Sequence, residues 1–229
     1  MSENAILIGN SDGIGLATSE ALLKKGWKVI GISRSASKIS DPSYKHTIAR
    51  VQDADFLEKL KSLLDGIGNV DLCVYCAGIG ELLDPLNMTG EIEIFDVNLM
   101  GMIRTAACVI PLMVKQGKGH FIGISSLADE LISPEAPSYH ASKAAFSNYL
   151  YGLALALKST GVHVSNMRFG FVNTKMAKGE VKPFMMEVEK AVQHILACIE
   201  SKSISHTAPW IVIPLVKFRS WTLKLQILR

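Results

Sequence analysis

The sequence predicts a single α/β domain built on a doubly wound parallel sheet. Two observations carry this prediction. Short apolar runs typical of buried strands alternate with stretches of helical periodicity, and a glycine-rich turn joins the first strand to the first helix. The chain has 229 residues, 48% of them hydrophobic and 20% charged. This is enough for one large domain with a substantial core, and we find no repeat or low-complexity segment in it.

The predicted elements follow one another along the chain as strand and helix. The strands are Ala5 to Ile8, Lys28 to Ile32, Leu72 to Tyr75, His120 to Ile124 and Val162 to Met167. The helices are Gly13 to Lys25, Asp53 to Leu64, Val97 to Lys115, Ser138 to Ser159 and Glu187 to Glu200. Because the strands are apolar throughout, helices are expected on both faces of the sheet.

Charge and composition argue against several classes of function. The formal charge is only +3, and no dense Lys/Arg run with interleaved aromatic residues occurs, so no nucleic-acid partner is expected. The first strand follows Met-Ser-Glu-Asn directly, without a leader pattern, and no uninterrupted apolar run approaches about 20 residues. We therefore expect a cytoplasmic protein.

The four cysteines include a C-x-x-C pair, Cys73 and Cys76, inside the apolar segment DLCVYCAG. Such a pair is compatible with metal or redox chemistry, but its place within a predicted buried strand favours a core-filling role. No metal site is expected.

The glycine-rich turn is GNSDGIGLA, residues 9 to 17. Glycine lets the backbone approach a pyrophosphate, whose charge then faces the N–H groups at the start of the next helix. The spacing G-x-x-x-G-x-G differs from the commoner dinucleotide fingerprint, so this segment alone is compatible with a phosphate cradle or a plain turn.

A second motif lies in YHASKAAF, where Tyr139 and Lys143 are one helical turn apart and share a face. A neighbouring cation favours the phenolate and brings a tyrosine nearer to acid–base work at neutral pH. Ser126 precedes Tyr139 by thirteen residues, and Asn98 precedes Ser126 by 28. The carboxyl ends of parallel strands bring such segments to one cleft.

Taken in order, these motifs resemble the short-chain dehydrogenase/reductase family over about residues 3 to 200. They are GNSDGIG, CAG, Asn98, Ser126, YHASK and FGFVNT. The resemblance implies a Rossmann-type fold and a catalytic tetrad. Tyr139 would be the general acid that protonates a carbonyl oxygen, and Lys143 would lower its pKa and hold the nicotinamide ribose. Ser126, with Ser125 as the alternative, would bind the substrate oxygen, and Asn98 would hold its helix open around a water.

The resemblance also implies a nicotinamide dinucleotide and its contacts. Counted by the strands of the family fold, these are Gly9, Ser11, Asp12, Gly13, Ile14 and Gly15 in the turn, Ser33 and Arg34 after the family's second strand, Gln52 or Asp53 after its third, Ala77 and Gly78 after its fourth, Gly170, Val172 and Thr174 after its sixth, and Tyr139 with Lys143. Ser33 stands where NAD enzymes carry an acid, and the Arg34 guanidinium suits a 2′-phosphate, so NADP(H) is favoured over NAD(H).

The chain departs from the family pattern in several places. Ile8 and Cys76 replace a polar pair that ties two strands together, and this double change reads as a consistent repacking. Asp129 replaces a glycine after the active serine and Phe169 replaces a proline, which puts substrate preference in doubt. Between Thr174 and Glu187 the chain is short, which predicts an open site. Its candidate apolar wall, or else helix-packing residues, comprises Met176, Phe184, Met185 and Met186.

Two functions are therefore open. The first is an NADP(H)-dependent enzyme that interconverts a ketone or aldehyde and an alcohol. The second is a nucleotide-binding regulatory or scaffold protein without turnover, although retention of all four tetrad residues favours the enzyme. Alanine-rich faces on two helices predict a homodimer or homotetramer, or packing on the protein's own sheet; they contain Ala106, Ala107, Ala144, Ala145, Ala154 and Ala156.

The last residues differ in character from the domain at 1–213. In segment 214–229 Phe218, Trp221, Leu225 and Leu228 follow a helical spacing with cations interspersed, but alternate residues also fit a strand. The segment is expected to cover an oligomer partner or to lie on a membrane surface.

Overall fold

In a computed structural model, which describes residues 3–177 and 184–227, the chain forms a seven-stranded, fully parallel sheet in the order β3-β2-β1-β4-β5-β6-β7. The strands are β1 Asn4–Ile8, β2 Lys28–Ser33, β3 Tyr44–Ile48, β4 Leu72–Tyr75, β5 Gly119–Ser126, β6 Val162–Phe169 and β7 Ser205–Ala208. The doubly wound α/β fold predicted from the sequence is confirmed.

The helices are α1 Gly13–Lys24, α2 Phe56–Asp65, α3 Thr89–Phe95, α4 Gly101–Gln116, α5 Pro137–Ala156, α6 Val188–Ser201 and α7 Ile213–Ile227. A π-helical turn, Asp96–Met100, joins α3 to α4. Two 3-10 turns, Leu127–Glu130 and Trp210–Val212, follow β5 and β7. One apolar core lies between the sheet and α2, α4 and α5, and the other lies between the sheet and α1 and α6.

The five strands and five helices predicted from periodicity are all present, with some shifted ends. The third predicted helix was placed too late: helical structure begins at Thr89, and the prediction from Val97 covers only most of the π-turn and α4. Periodicity did not mark β3 or β7, whose sequences YKHTI and SHTA carry polar residues because both strands lie at sheet edges. The tail, open between helix and strand, is helical as far as Ile227 and forms α7, and Leu228 lies outside the described residues.

The central strands β1 and β4 explain the continuous apolar runs, since every residue of β4 is buried. Cys73 lies in the core and burial raises the pKa of its thiol, as a core-filling role requires. Both cysteines of the C-x-x-C pair are free thiols. Where the family has a polar pair, the two strands are joined by a backbone bond from Cys76 N to Ile8 O of 2.8 Å.

The segment Thr89–Gln116 is long and apolar enough to cross a bilayer by length and composition, with a mean hydropathy of 1.7 in its most apolar window. However, 56% of that window is buried inside the domain. The segment is therefore accounted for as a core helix, with the buried amide of Asn98 in its middle.

Candidate active site

The site forms where the carboxyl ends of β1, β4, β5 and β6 meet the N-terminus of α5, the position that parallel α/β sheets use for ligands. Ser126 is the last residue of β5 and caps the 3-10 turn that follows, its Oγ accepting a bond from Ala128 N at 3.1 Å. Pro137 starts α5, since proline fits the first turn of a helix. Tyr139 follows two residues later, in the same first turn.

Asn98 is fully buried in the π-turn and clamps the loop after β4. Its Oδ1 accepts from Ile79 N at 2.8 Å and its Nδ2 donates to Ile79 O at 2.9 Å. The same amide donates to Ser142 Oγ at 3.0 Å, and Ser142 Oγ donates to the Tyr139 carbonyl at 2.8 Å. Asn98 therefore joins three segments of the site, whereas its expected role of holding the helix open around a water stays a prediction.

Tyr139 lies between Ser126 and the loop after β4. Desolvation of the phenol raises the pKa of Tyr139, the Ser126 hydroxyl opposes that rise by hydrogen bonding, and the nearby Asp129 carboxylate adds to it. A Cβ placed on Gly80 would begin 3.0 Å from Cδ2 of Tyr139, so the backbone there packs directly on the ring. Tyr139 therefore stays protonated at neutral pH.

Lys143 lies one turn further along α5 and is buried. Its Nζ donates to Ile124 O at 2.9 Å and lies 4.9 Å from the centre of the Phe146 ring. Burial lowers the pKa of Lys143 to about 8, against an opposing effect of the Asp129 carboxylate. The expected lowering of the Tyr139 pKa by Lys143 stays a prediction. In this arrangement burial and the Asp129 carboxylate raise the Tyr139 pKa, and the Ser126 hydroxyl lowers it.

The two candidate serines are distinguished by their partners. Ser125 is buried and its Oγ lies 2.8 Å from Ser147 Oγ, inside the protein. Ser126 is partly exposed and bonds with Tyr139. The geometry therefore favours Ser126 as the substrate-binding hydroxyl.

Sequence reasoning missed a buried ion pair that joins the turn after Ser126 to β6. Arg168 of β6 donates to both carboxylate oxygens of Asp129 and also to Glu130. Ser147 Oγ donates to the same Asp129 carboxylate. The departure of Asp129 from the family pattern was visible in the sequence, but its partner on a strand 39 residues away was not.

The glycine turn has the shape of a phosphate cradle. A Cβ on Gly9, which has φ of +86°, would lie 2.5 Å from Ala77 N, and a Cβ on Gly15 would lie 2.2 Å from Gly9 O. Only glycine permits this close approach of β1, β4 and α1. The first N–H groups of α1 have no partner within the helix, so the turn presents donors to an anion. These residues fit a pyrophosphate.

The loop after β6 reaches back to that turn. A Cβ on Gly13 would lie 3.2 Å from Cγ2 of Thr174, and the Lys175 ammonium pairs with Asp12 at 2.6 Å. The hydrogen bond from Lys175, together with that from Gly13 N, lowers the pKa of Asp12. Thr174 thus lies beside the glycine turn, and its contact with the cofactor stays a prediction.

Arg34 follows β2 and is exposed, whereas Ser33 is buried and engaged. Ser33 Oγ donates to Ser35 O at 2.9 Å and lies 2.8 Å from His46 Nε2. Burial lowers the pKa of His46, which keeps that ring neutral at pH 7. Arg34 is an exposed cation directly after β2.

Of the two residues predicted to lie near adenine, Gln52 contacts α3 and Asp53 bonds within its own turn. Gln52 Nε2 and the Arg50 guanidinium both donate to Glu93 Oε1 at 3.1 Å, and Asp53 Oδ2 accepts from Arg50 N at 3.3 Å. Arg50 was not among the predicted residues, because the end of β3 could not be placed from periodicity.

The remaining predicted contacts follow β4 and β6. A Cβ on Gly78 would lie 3.4 Å from Asn98 Oδ1, 3.6 Å from Met176 Cε and 3.8 Å from Lys143 Nζ, so the glycine leaves room beside the tetrad. The nearest neighbour of a Cβ on Gly170 is Cδ of Pro209, at 3.3 Å, so packing accounts for this glycine and its cofactor contact stays a prediction.

The predicted apolar wall divides into exposed and packed residues. Met176, Phe184 and Met185 are exposed, whereas Met186 is buried and pairs with Val172 across a parallel bridge. Residues 178–183 of the short segment between Thr174 and Glu187 lie outside the described residues.

Sequence reasoning also missed Asn10, which lies inside the glycine turn. Asn10 is fully buried, and its Nδ2 donates to Ser19 Oγ at 3.1 Å and to Tyr44 Oη at 2.8 Å. A polar residue next to the first glycine was the available signal. Asn10 ties the turn to α1 and to β3.

Comparisons with known proteins agree with this geometry. The family described as short chain dehydrogenase matches residues 3–183. A 3-oxoacyl-(acyl-carrier-protein) reductase of Synechocystis is 32% identical over 189 residues, covering 76% of each chain. An uncharacterized oxidoreductase of Myxococcus xanthus is 29% identical over 220 residues, covering 90% of this chain and 87% of that one. The structure of a short chain dehydrogenase from Burkholderia cenocepacia in complex with NADP superposes with a TM-score of 0.86 at 20% identity, covering 100% of this chain and 98% of that one.

Proposed function

Because the chain belongs to the short-chain dehydrogenase family, we propose that it is an NADP(H)-dependent oxidoreductase that interconverts a carbonyl compound and an alcohol. The observation that carries this proposal is the convergence of Asn98, Ser126, Tyr139 and Lys143 at one end of the sheet, with each side chain fixed by a packed or hydrogen-bonded neighbour. A glycine cradle for a pyrophosphate opens at the same end.

A nicotinamide dinucleotide held by these residues would supply or accept the hydride. Ser126 donates a hydrogen bond to the substrate oxygen and holds it beside the Tyr139 hydroxyl. In reduction, Tyr139 gives its proton to that oxygen as the general acid, since burial keeps the phenol protonated at neutral pH. In oxidation, Tyr139 must first lose its proton, so this direction is favoured at higher pH.

Lys143 and Asn98 serve that proton transfer. The Lys143 ammonium is held over the Phe146 ring by Ile124 O and is close enough to Gly78 to reach a ribose placed over that glycine. Its positive charge stabilises the phenolate that forms when Tyr139 donates. Asn98 holds the loop after β4 and the start of α5 together beside the same site through its bonds to Ile79 and Ser142.

Arg34 supports NADP(H) as the preferred cofactor. It is an exposed guanidinium at the end of β2, and Ser33 beside it carries no charge that would repel a 2′-phosphate. The name of the Synechocystis relative supports a ketone as the oxidised substrate. The exposed side chains of Met176, Phe184 and Met185 favour an apolar one.

The second candidate, a nucleotide-binding protein without turnover, is not favoured. Such a protein would have no use for a buried lysine of lowered pKa beside a tyrosine and a serine that bond to each other. We place the enzyme in the cytoplasm as a homodimer or homotetramer. Ala107, Ala144 and Ala156 are exposed on α4 and α5 and offer the contact, whereas Ala106 and Ala154 are buried within the protomer.

The deciding experiment measures NADPH and NADH binding by fluorescence and then NADPH oxidation with a panel of ketones and aldehydes. We expect tighter binding of NADPH, and turnover that falls by about 10²-fold or more in Tyr139→Phe, which removes the acid while keeping the ring. The exposed Tyr149→Phe on the same helix is the matched control. NADPH binding without turnover across the panel would support the binding protein instead.

A further inference from the structure

Helix α7 has two apolar faces, and only one of them is used inside the protein. The inner face packs on the 3-10 turn Leu127–Glu130, with Ser220 buried and Val216 and Leu223 half-buried. Steps of three and four residues keep these side chains on one side of the helix.

The outer face of α7 is apolar and exposed. Leu215, Phe218, Trp221 and Leu225 follow at steps of three and four residues and are between 41% and 61% exposed. The Phe218 and Trp221 rings lie 6.0 Å apart, centre to centre, so they form one continuous aromatic surface. Trp210, in the 3-10 turn just before the helix, is 73% exposed.

Cations border this outer face on both sides. At 100° per residue, Lys217 and Lys224 lie along one edge and Arg219 along the other, and all three are exposed. Residues 201–229 contain five Lys or Arg and no Asp or Glu, whereas residues 1–200 carry a net charge of −2. The net positive charge of the protein therefore comes from residues 201–229, which include the helix that exposes Phe218 and Trp221.

This arrangement selects among possible occupants by charge. A second copy packed face to face across a two-fold axis would bring Lys217, Arg219 and Lys224 against their own equivalents, which is unfavourable. Anionic lipid headgroups complement the same cations, while the apolar face enters the boundary between headgroups and acyl chains. Tryptophan and phenylalanine suit that boundary.

The outer face lies close to the catalytic site. The turn against which α7 packs begins directly after Ser126 and carries Asp129. Arg219 is near enough to His140, the neighbour of Tyr139, for its charge to add to the effect of burial in lowering the His140 pKa. A surface that binds α7 therefore lies beside the mouth of the site.

We propose that the outer face of α7 binds the surface of membranes containing anionic phospholipids, lying in the plane of the interface with Phe218 and Trp221 inserted. This holds the protein peripherally and places its active site beside the lipid. If the proposed function also holds, apolar carbonyl substrates dissolved in the bilayer are the class that gains access.

The test is co-sedimentation of the full-length protein with vesicles of phosphatidylcholine alone and of phosphatidylcholine with phosphatidylglycerol, without nucleotide or substrate. Its outcome is therefore independent of the proposed enzymatic activity. We expect binding to the anionic vesicles, release at high salt, and a blue shift of tryptophan fluorescence. The Lys217→Gln/Lys224→Gln variant should bind roughly 30-fold more weakly, and Phe218→Ser/Trp221→Ser should not bind.

Matched controls change the same residue types elsewhere. Lys45→Gln/Lys61→Gln removes two exposed lysines outside α7, and Leu82→Ser/Leu86→Ser removes two exposed apolar side chains; both should bind as the wild type does. Absence of binding, or equal binding to neutral vesicles, overturns the proposal. Sedimentation equilibrium then identifies the alternative: a dimer that Phe218→Ser/Trp221→Ser converts to monomer would assign this face to a second copy.

Discussion

Arg168 and Asp129 form a bidentate ion pair at the turn that follows Ser126. Nε and one terminal nitrogen of Arg168 each lie 2.7 Å from a different carboxylate oxygen of Asp129. Both side chains are almost fully buried, at 10% and 4% exposure. Asp129 follows Ser126 by three residues, and its charge raises the pKa of both Tyr139 and Lys143. The pair therefore couples the stability of β6 to the electrostatics of catalysis.

Removing one partner of this pair should be costly. Asp129→Asn leaves the buried Arg168 guanidinium with only the more exposed Glu130 carboxylate as a charged partner, and we expect a loss of about 3 kcal/mol in the free energy of unfolding, measured by urea denaturation. Ser147→Ala removes the hydrogen bonds with the same carboxylate and with Ser125 Oγ but no charge, and should lose about 1–2 kcal/mol. Equal losses in the two variants would contradict a dominant role for the charge pair.

The rate of reduction should depend on the charge of Lys143. Burial lowers the Lys143 pKa to about 8, so its ammonium is present below that pH and is lost above it. We expect kcat/KM for the carbonyl substrate to be level near neutral pH and to fall above about pH 8. Asp129→Asn should move this fall to lower pH, because the Asp129 carboxylate raises the Lys143 pKa. A profile level to pH 10 would refute the assignment.

Arg34 should set the choice of cofactor. Arg34→Ser removes the guanidinium that we assign to the 2′-phosphate, and the KM for NADPH should rise about 10- to 100-fold while that for NADH stays nearly constant. Lys28→Ser, at the opposite end of β2, removes the same charge far from the site and should change neither value. If the two KM values rise together in Arg34→Ser, the residue holds a part common to both cofactors.

His120 should make the fold acid-sensitive. It is buried beside Ser165, and burial, with His163 and Lys202 nearby, lowers the His120 pKa to about 3. Between pH 6.5 and about 3 the unfolded chain binds a proton that the folded chain excludes, so stability is complete above that range and falls with pH inside it.

Urea denaturation at pH 7 and pH 5 measures this effect. The wild type should lose about 2 kcal/mol more than His120→Gln between the two values. The exposed neighbour His163 supplies the control, since His163→Gln should keep most of the wild-type dependence. An unchanged pH dependence in His120→Gln would show that other groups govern acid unfolding.

The oligomer contact should be sensitive to charge on α4. Ala107 is exposed on α4 and lines a groove between α4 and α5 together with Tyr149 and Leu153. Ala107→Arg should lower the mass measured by sedimentation equilibrium, because it places a cation in the proposed interface. Ala197→Arg makes the same change at an exposed position of α6 and should leave the mass unchanged. A wild-type protein that is already monomeric would contradict the oligomer.

The sequence predicted the parts of this fold that periodicity and glycine spacing encode. Central strands such as β4 are buried on both faces and therefore read as continuous apolar runs. Edge strands such as β3 carry half-exposed polar residues, and their identity depends on pairing with distant neighbours that a local pattern does not contain.

The candidate site shows the same division. Tyr139 and Lys143 were recognisable because they lie on one helix, four residues apart. Pairing of Asp129 with Arg168 depends on which strand follows β5 in the sheet, and the lowered Lys143 pKa depends on the depth of burial. Sequence order fixes neither quantity, so these properties became visible only in the folded chain.

The π-turn at Asp96–Met100 makes this part of the chain intolerant of a change in length. One extra residue in that turn rotates the helix after it by about 100° relative to a regular α-helix, so α3 packs on α5 while α4 packs on α2 and β5. Deleting a single residue there would restore a regular helix and turn Asn98 away from Ile79. Substitution at exposed positions of α4 leaves this register intact, whereas deletion of one residue from the turn would move Asn98 away from the other residues of the active site.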